Sequence, residues 1–154
     1  MKSNPFENFA KETSPGVYHA LTWDVEVSKT IIIDLIELAR ININRKARFC
    51  LHPDSNQALQ FTYLAFVAPY KDKIHSHPNR PEIIYPVFGS AIHSTFDSNA
   101  TLLKTVPINS DLPVALATSM GNWHSLEVES EAFVMLEIGT GPFTAQSTIN
   151  MTDN

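Results

Sequence analysis

From residue 48 to residue 138, turn signals break up runs of β-forming residues about every ten positions, and this cadence limits the fold more than any other feature of the chain. The runs predict strands over residues 48–52, 57–67, 90–97, 102–108, 114–118, 123–128 and 132–138, with another opening at Glu82 through Ile83, Ile84 and Tyr85. Pro53-Asp54-Ser55-Asn56 and Ser98-Asn99 punctuate them. Only one segment has helical periodicity. Ser28 is placed to cap it, it runs to about Ile41, and Ile31, Ile32, Leu35, Ile36 and Ala39 share one apolar face. The expectation is an all-β sandwich or barrel covered by that helix. At 154 residues the chain is long enough for one well-cored domain. We divide it into an N-terminal arm (1–26), a main domain (27–143) and a flexible polar tail (144–154). Within the arm, 1–16 reads as loosely held and 17–27 as an edge strand.

Several function classes are disfavoured. The net charge is −5 without a Lys/Arg run, so nucleic acid is not an expected partner. No run of about 20 apolar residues is present to span a bilayer. The first residues lack the apolar core of a signal peptide, so the expected compartment is the cytoplasm. Cys50 is the only cysteine, which rules out an internal disulfide and a thiolate zinc cluster; it reads as a small buried hydrophobe.

The chemistry concentrates in residues 75–89, where the order is His75-x-His77-x4-Glu82-x6-Gly89. In a strand, alternate side chains share a face, so His75 and His77 point the same way. Pro78, Asn79 and Pro81 turn the chain and Glu82 opens a returning strand, predicting a hairpin that brings two imidazoles and a carboxylate together. That is half of a metal site, and His124 is the best candidate for a further ligand. Three imidazoles and one carboxylate suit one divalent transition metal: Fe, Mn, Ni, Cu or Zn.

These residues resemble the two cupin motifs. His75, His77, Glu82 and Gly89 match the first, and Gly121 and His124 the second. Pro69, Ser119 and Val128 stand where the motifs carry Gly, Pro and Asn. A narrower resemblance spans about residues 26 to 143. It comprises Arg45 to His52, Gln60, the His-x-His-x4-Glu segment, Trp123-His124, and Leu136 to Phe143. It is to the WbuC-type cupin-fold metalloproteins associated with surface-polysaccharide gene clusters. The resemblance implies a cupin-type (jelly-roll) double-stranded β-barrel with one N-terminal covering helix. It implies His75, His77, Glu82 and His124 as metal ligands.

Strand parity adds candidate pocket residues. Ala91, His93 and Thr95 share a small, polar face, and Arg48, Cys50 and His52 share another. Gln60 and Tyr63 lie on opposite faces of their strand, so at most one reaches the pocket. Arg48, His52, Gln60 and His93 are the candidates, with Arg48 suited to an anionic group. The leading function is a metal-dependent cupin binding or acting on a small oxygen-rich metabolite, the sugar class coming from the family association alone. A metal-dependent dioxygenase and a non-catalytic ligand-binding module are the alternatives. A homodimer is expected, with the 17–27 strand available for exchange.

Overall fold

The computed structural model describes residues 5–151. In chain order it contains β1 (Ala10–Ser14), β2 (Val17–Ala20), α1 (Lys29–Ile41), β3 (Lys46–Cys50), β4 (Leu59–Val67), β5 (His75–Ser76) and β6 (Glu82–Phe88). These are followed by β7 (Ser90–Phe96), β8 (Leu102–Asn109), β9 (Leu116–Thr118), β10 (Trp123–Val128), β11 (Ala132–Thr140), a 3-10 turn (Ala145–Ser147) and β12 (Ile149–Asn150). One sheet has the order β1-β2-β3-β4-β11-β6-β9, the other β12-β5-β10-β7-β8. From β4 onward the chain passes back and forth between the sheets, the jelly-roll pattern. All pairings are antiparallel except β2 with β3.

Side-chain alternation divides the large sheet into two faces. On β4, Ala65 and Val67 pack toward α1, while Leu64 and Phe66 point into the space between the sheets. On β11, Ala132 and Val134 face the helix and Phe133 and Met135 the interior. Two apolar cores result, one under α1 and one between the sheets. The helix contributes Ile32, Leu35, Ile36 and Ala39, the face its periodicity predicts. Each large side chain buried there is worth about 1.5–3 kcal/mol. Ser28 caps the helix by accepting from the Ile31 N–H at 3.4 Å, and Arg40 in the last turn complements the helix dipole. Gly89 joins β6 to β7 at φ +71°, and a Cβ there would collide with the Ala132 carbonyl. The glycine is therefore required twice over.

The two ends of the chain differ from expectation. Within the arm, Phe6 is fully buried and sits against Phe9, Tyr18 and Phe49, with ring centroids 5.2–5.7 Å apart. The strand expected over 17–27 is confined to Val17–Ala20, and both its edges are occupied within the chain by β1 and β3. It is not free for exchange. The tail expected to be flexible is built into the fold. Ser147 is fully buried, and β12 pairs with β5 through Ile149 with Ser76 and Asn150 with His75. Backbone pairing does this, which a polar composition does not reveal. Residues 1–4 of the arm and 152–154 of the tail lie outside the described residues. Among the described residues, no helix is long and apolar enough to cross a membrane.

Candidate metal centre

The segment from His75 to Glu82 is not a hairpin. β5 belongs to the small sheet and β6 to the large one, and residues 77–81 cross between them. Pro78 and Pro81 carry no N–H, so this stretch cannot continue a ladder, and it changes sheet instead. The consequence is a site lying between the sheets. His75 and His124 are directly opposite each other on β5 and β10, with ring centroids 4.3 Å apart. His77 reaches in from the crossing, 5.1 Å from His75 and 5.3 Å from His124. Glu82 enters from the large sheet, its Oε1 3.0 Å from His77 Nε2 and its Oε2 3.8 Å from His124 Nε2. Gly121, at φ +76°, turns the chain before His124, and its N–H donates to the His77 carbonyl at 2.9 Å.

The hydrogen bonds determine which ring nitrogens are available. His75 Nδ1 lies 2.8 Å from the Lys73 carbonyl, His77 Nδ1 2.8 Å from that of Ser147, and His124 Nδ1 2.9 Å from that of Asn122. A carbonyl only accepts, so each Nδ1 carries the proton and each Nε2 is left as a bare lone pair. The ligand atoms of the three rings all lie within 4.8 Å of one another. Burial holds His77 below the usual histidine range, and burial followed by His75 takes His124 down to about 3. Those rings are thus neutral at ordinary pH.

Glu82 Oε1 is buried and no hydrogen bond reaches it. Burial, and then the nearby Glu137, push the Glu82 carboxyl up. A buried Glu82 oxygen set 3.0 Å from the bare His77 Nε2 is an unfavourable arrangement for an ionised carboxylate, and one cation between them would resolve it. The donor set therefore fits a divalent metal held by His75, His77, Glu82 and His124.

The site opens into a cavity of about 500 Å³. All four candidate pocket residues line it: Arg48, His52, Gln60 and His93. His93 is buried and stacked on His124 at 5.4 Å, and neither of its nitrogens has a partner. Tyr63 packs on the α1 side, as parity requires. Arg80, between the prolines of the sheet-crossing segment, carries no sequence motif that marks it for the site. The Arg80 guanidinium is buried, donates to Glu137 at 3.1 Å and to Gln60 at 3.5 Å, and lies 5.3 Å over the Phe143 ring. Its Nε has no acceptor. Gly139 leaves room for it, since a Cβ there would overlap the guanidinium. The signal was present in the stretch Leu136 to Phe143, whose Glu137, Gly139 and Phe143 all meet at this one side chain.

Solved structures share this architecture. One is the capsular polysaccharide assembling protein CapF from Staphylococcus aureus, 14% identical, with a TM-score of 0.59 over 69% of this chain and 31% of that one. Another is oxalate decarboxylase from Lactobacillus farciminis in a formate complex, 20% identical, with a TM-score of 0.52 over 62% and 27%. The chain has a cupin fold. A Bacillus subtilis oxalate decarboxylase with Mn(II) centres gives the same identity and TM-score over 62% of this chain and 24% of its own. The chain spans about a third or less of the length of each of these proteins. No family model matches its sequence, and among curated proteins none matches it.

Proposed function

We propose that this cupin is a metal-dependent protein that binds a small oxygen-rich metabolite in the inter-sheet cavity and acts on it. A sugar or sugar acid of surface-polysaccharide biosynthesis is the class we favour. The observation that carries the reading is the convergence of three bare Nε2 atoms within 4.8 Å of one another, beside the buried Glu82 carboxyl whose Oε1 no hydrogen bond reaches. The likeness to CapF, a capsular polysaccharide assembling protein, and the resemblance to WbuC-type cupins both support the sugar class.

A divalent metal bound there supplies Lewis-acid polarisation of a substrate oxygen. The chain's own residues do the rest. His75, His77, Glu82 and His124 hold the cation. Arg80, anchored by Glu137 and Gln60, presents a fixed cationic surface to a carboxylate or hydroxyl of the substrate. Arg48 adds a second guanidinium to the cavity wall. Ile84, Leu126 and Met135 line its apolar part and limit water. The fold carries two apolar cores of its own, so metal is not needed for folding as it is in small zinc modules.

The test begins with elemental analysis of purified protein, followed by thermal melts with and without chelator and a screen of sugars and small organic acids. We expect bound metal, a fold that survives chelation, and a ligand that raises the melting temperature only when metal is present. Unfolding on chelation at room temperature would make the metal structural and overturn the reading. Oxygen uptake with the ligand found distinguishes dioxygenase chemistry. We propose a homodimer as the assembly, with β1, at the outer edge of the large sheet, as the free edge; light scattering at several concentrations tests it.

A further inference from the structure

A second group of ligand-type side chains lies elsewhere on the same cavity wall. β2 runs parallel to β3 with His19 paired to Cys50, which puts both side chains on one face of the large sheet. Two residues on, His52 shares the parity of Cys50. The ligand atoms of His19, Cys50 and His52 all lie within 4.8 Å of one another, and Cys50 and His52 are buried. The two imidazole rings meet edge to face at 5.1 Å.

We propose that His19, Cys50 and His52 form a second cation site, distinct from the His75, His77, Glu82 and His124 site and selective for zinc. His19 Nδ1 lies 3.0 Å from the His52 carbonyl, so it carries the proton and leaves Nε2 bare. His52 Nδ1 lies 3.3 Å from the Phe61 N–H and 3.2 Å from the Phe61 carbonyl. Donating to that carbonyl puts the proton on Nδ1 and frees Nε2, at the cost of exchanging one hydrogen bond for another. The Thr62 hydroxyl donates to Cys50 Sγ at 3.8 Å. One sulfur and two nitrogens make a softer donor set than three nitrogens and a carboxylate, and zinc takes that combination at about 2.3 Å for sulfur and 2.0–2.1 Å for nitrogen. Three protein ligands would leave a fourth position on the metal, and because all three side chains line the cavity it could be taken by water or substrate.

Binding is an acid–base step without redox change. The Cys50 S–H bond breaks, its proton goes to solvent, and the sulfur lone pair forms the bond to zinc. Burial pushes the free thiol up to about 11, so without a cation Cys50 stays protonated and inert.

Cobalt(II) is the probe, because thiolate coordination gives it a sulfur-to-cobalt charge-transfer band that nitrogen and oxygen ligands do not. The full chain, stripped of metal, is titrated as wild type, Cys50→Ser and His75→Ala. Wild type is expected to take two equivalents and show the band, Cys50→Ser to keep one equivalent without it, and His75→Ala to keep the band. Saturation of wild type with no thiolate band overturns the proposal, whatever the first site does. A single equivalent that carries the band supports this site and instead refutes the first. Should Cys50→Ser fail to fold, His19→Ala at a half-buried position is expected to weaken zinc binding at least about tenfold. Unchanged zinc affinity in that variant also overturns the proposal.

Discussion

Replacing Glu82 with glutamine should act in opposite directions on the metal-free and metal-loaded protein. Glu82 is buried with Oε1 unsatisfied, and Arg80 Nε is 3.8 Å away, too far for a hydrogen bond. The wild-type fold therefore carries the cost of a desolvated carboxyl, and a neutral isostere removes it. Metal-free Glu82→Gln is expected to melt at or above metal-free wild type. With manganese(II) at a hundred times its Kd, wild type gains about 2.7 kcal/mol by mass action. At about 2–4 °C per kcal/mol for a chain of this size, that is a rise of about 5–11 °C. If losing the anionic ligand weakens binding about a hundredfold, the same manganese stands at the variant's Kd. The gain then falls to about 0.4 kcal/mol, or about 1–2 °C. Scanning calorimetry with and without manganese measures both effects. The reasoning is refuted if the metal-free variant melts more than about 4 °C below wild type, since Glu82 would then be a stabilising partner of Arg80. It is equally refuted if the variant keeps the full manganese shift.

Phe6→Ala should cost about 3–5 kcal/mol in urea denaturation, because a fully buried ring in the arm is lost from the core under α1; a cost below about 1 kcal/mol would show the arm to be loosely attached. Gly139→Ala should cost about 1.5–3 kcal/mol, since its Cβ displaces the Arg80 guanidinium from Glu137, and an unaltered urea midpoint would refute that packing. Metal-free protein should lose stability as pH falls from about 6.5 toward 4. Burial, helped by His19 at His52 and by His75 at the other two, lowers His52 and His93 to about 4 and His124 to about 3. In that window the unfolded chain binds protons the folded chain does not, so stability falls with pH by up to about 1.4 kcal/mol per unit for each histidine. Glu82, raised by burial, opposes them with a single proton. A lower urea midpoint at pH 5 than at pH 7.5, in chelator, checks the sign.

What could be read from the sequence was local. The helix followed from five apolar residues at helical spacing, and the shared face of His75 and His77 from strand alternation. The same parity sets Gln60 opposite Tyr63 and puts His93 on a small, polar face, which makes both pocket candidates, and both line the cavity. Arg80 could not be found this way, because its partners Gln60, Glu137 and Phe143 come from two other strands and a loop. The sheet change between His77 and Glu82 looked like a hairpin because prolines mark both. Only the pairing of β5 with β10 and of β6 with β11 separates the two readings. The tail's sequence hides its structure for a related reason: β12 is two residues long and is held by main-chain bonds, for which residue type carries little signal.

The rings of His75, His124 and His77 are oriented by the carbonyls of Lys73, Asn122 and Ser147, respectively. A main-chain oxygen is common to all twenty residue types, so the contact to each ring does not depend on the side chain at its acceptor. Alanine at any of the three leaves the orienting carbonyl in place, although at Ser147 it also removes the buried hydroxyl that accepts from the Thr144 N–H at 2.9 Å. Shortening the chain before residue 147 would instead remove the acceptor that orients His77 without altering a single ligand. We expect metal affinity to fall when the chain is cut before residue 147, and a truncation series would detect this where side-chain mutagenesis cannot.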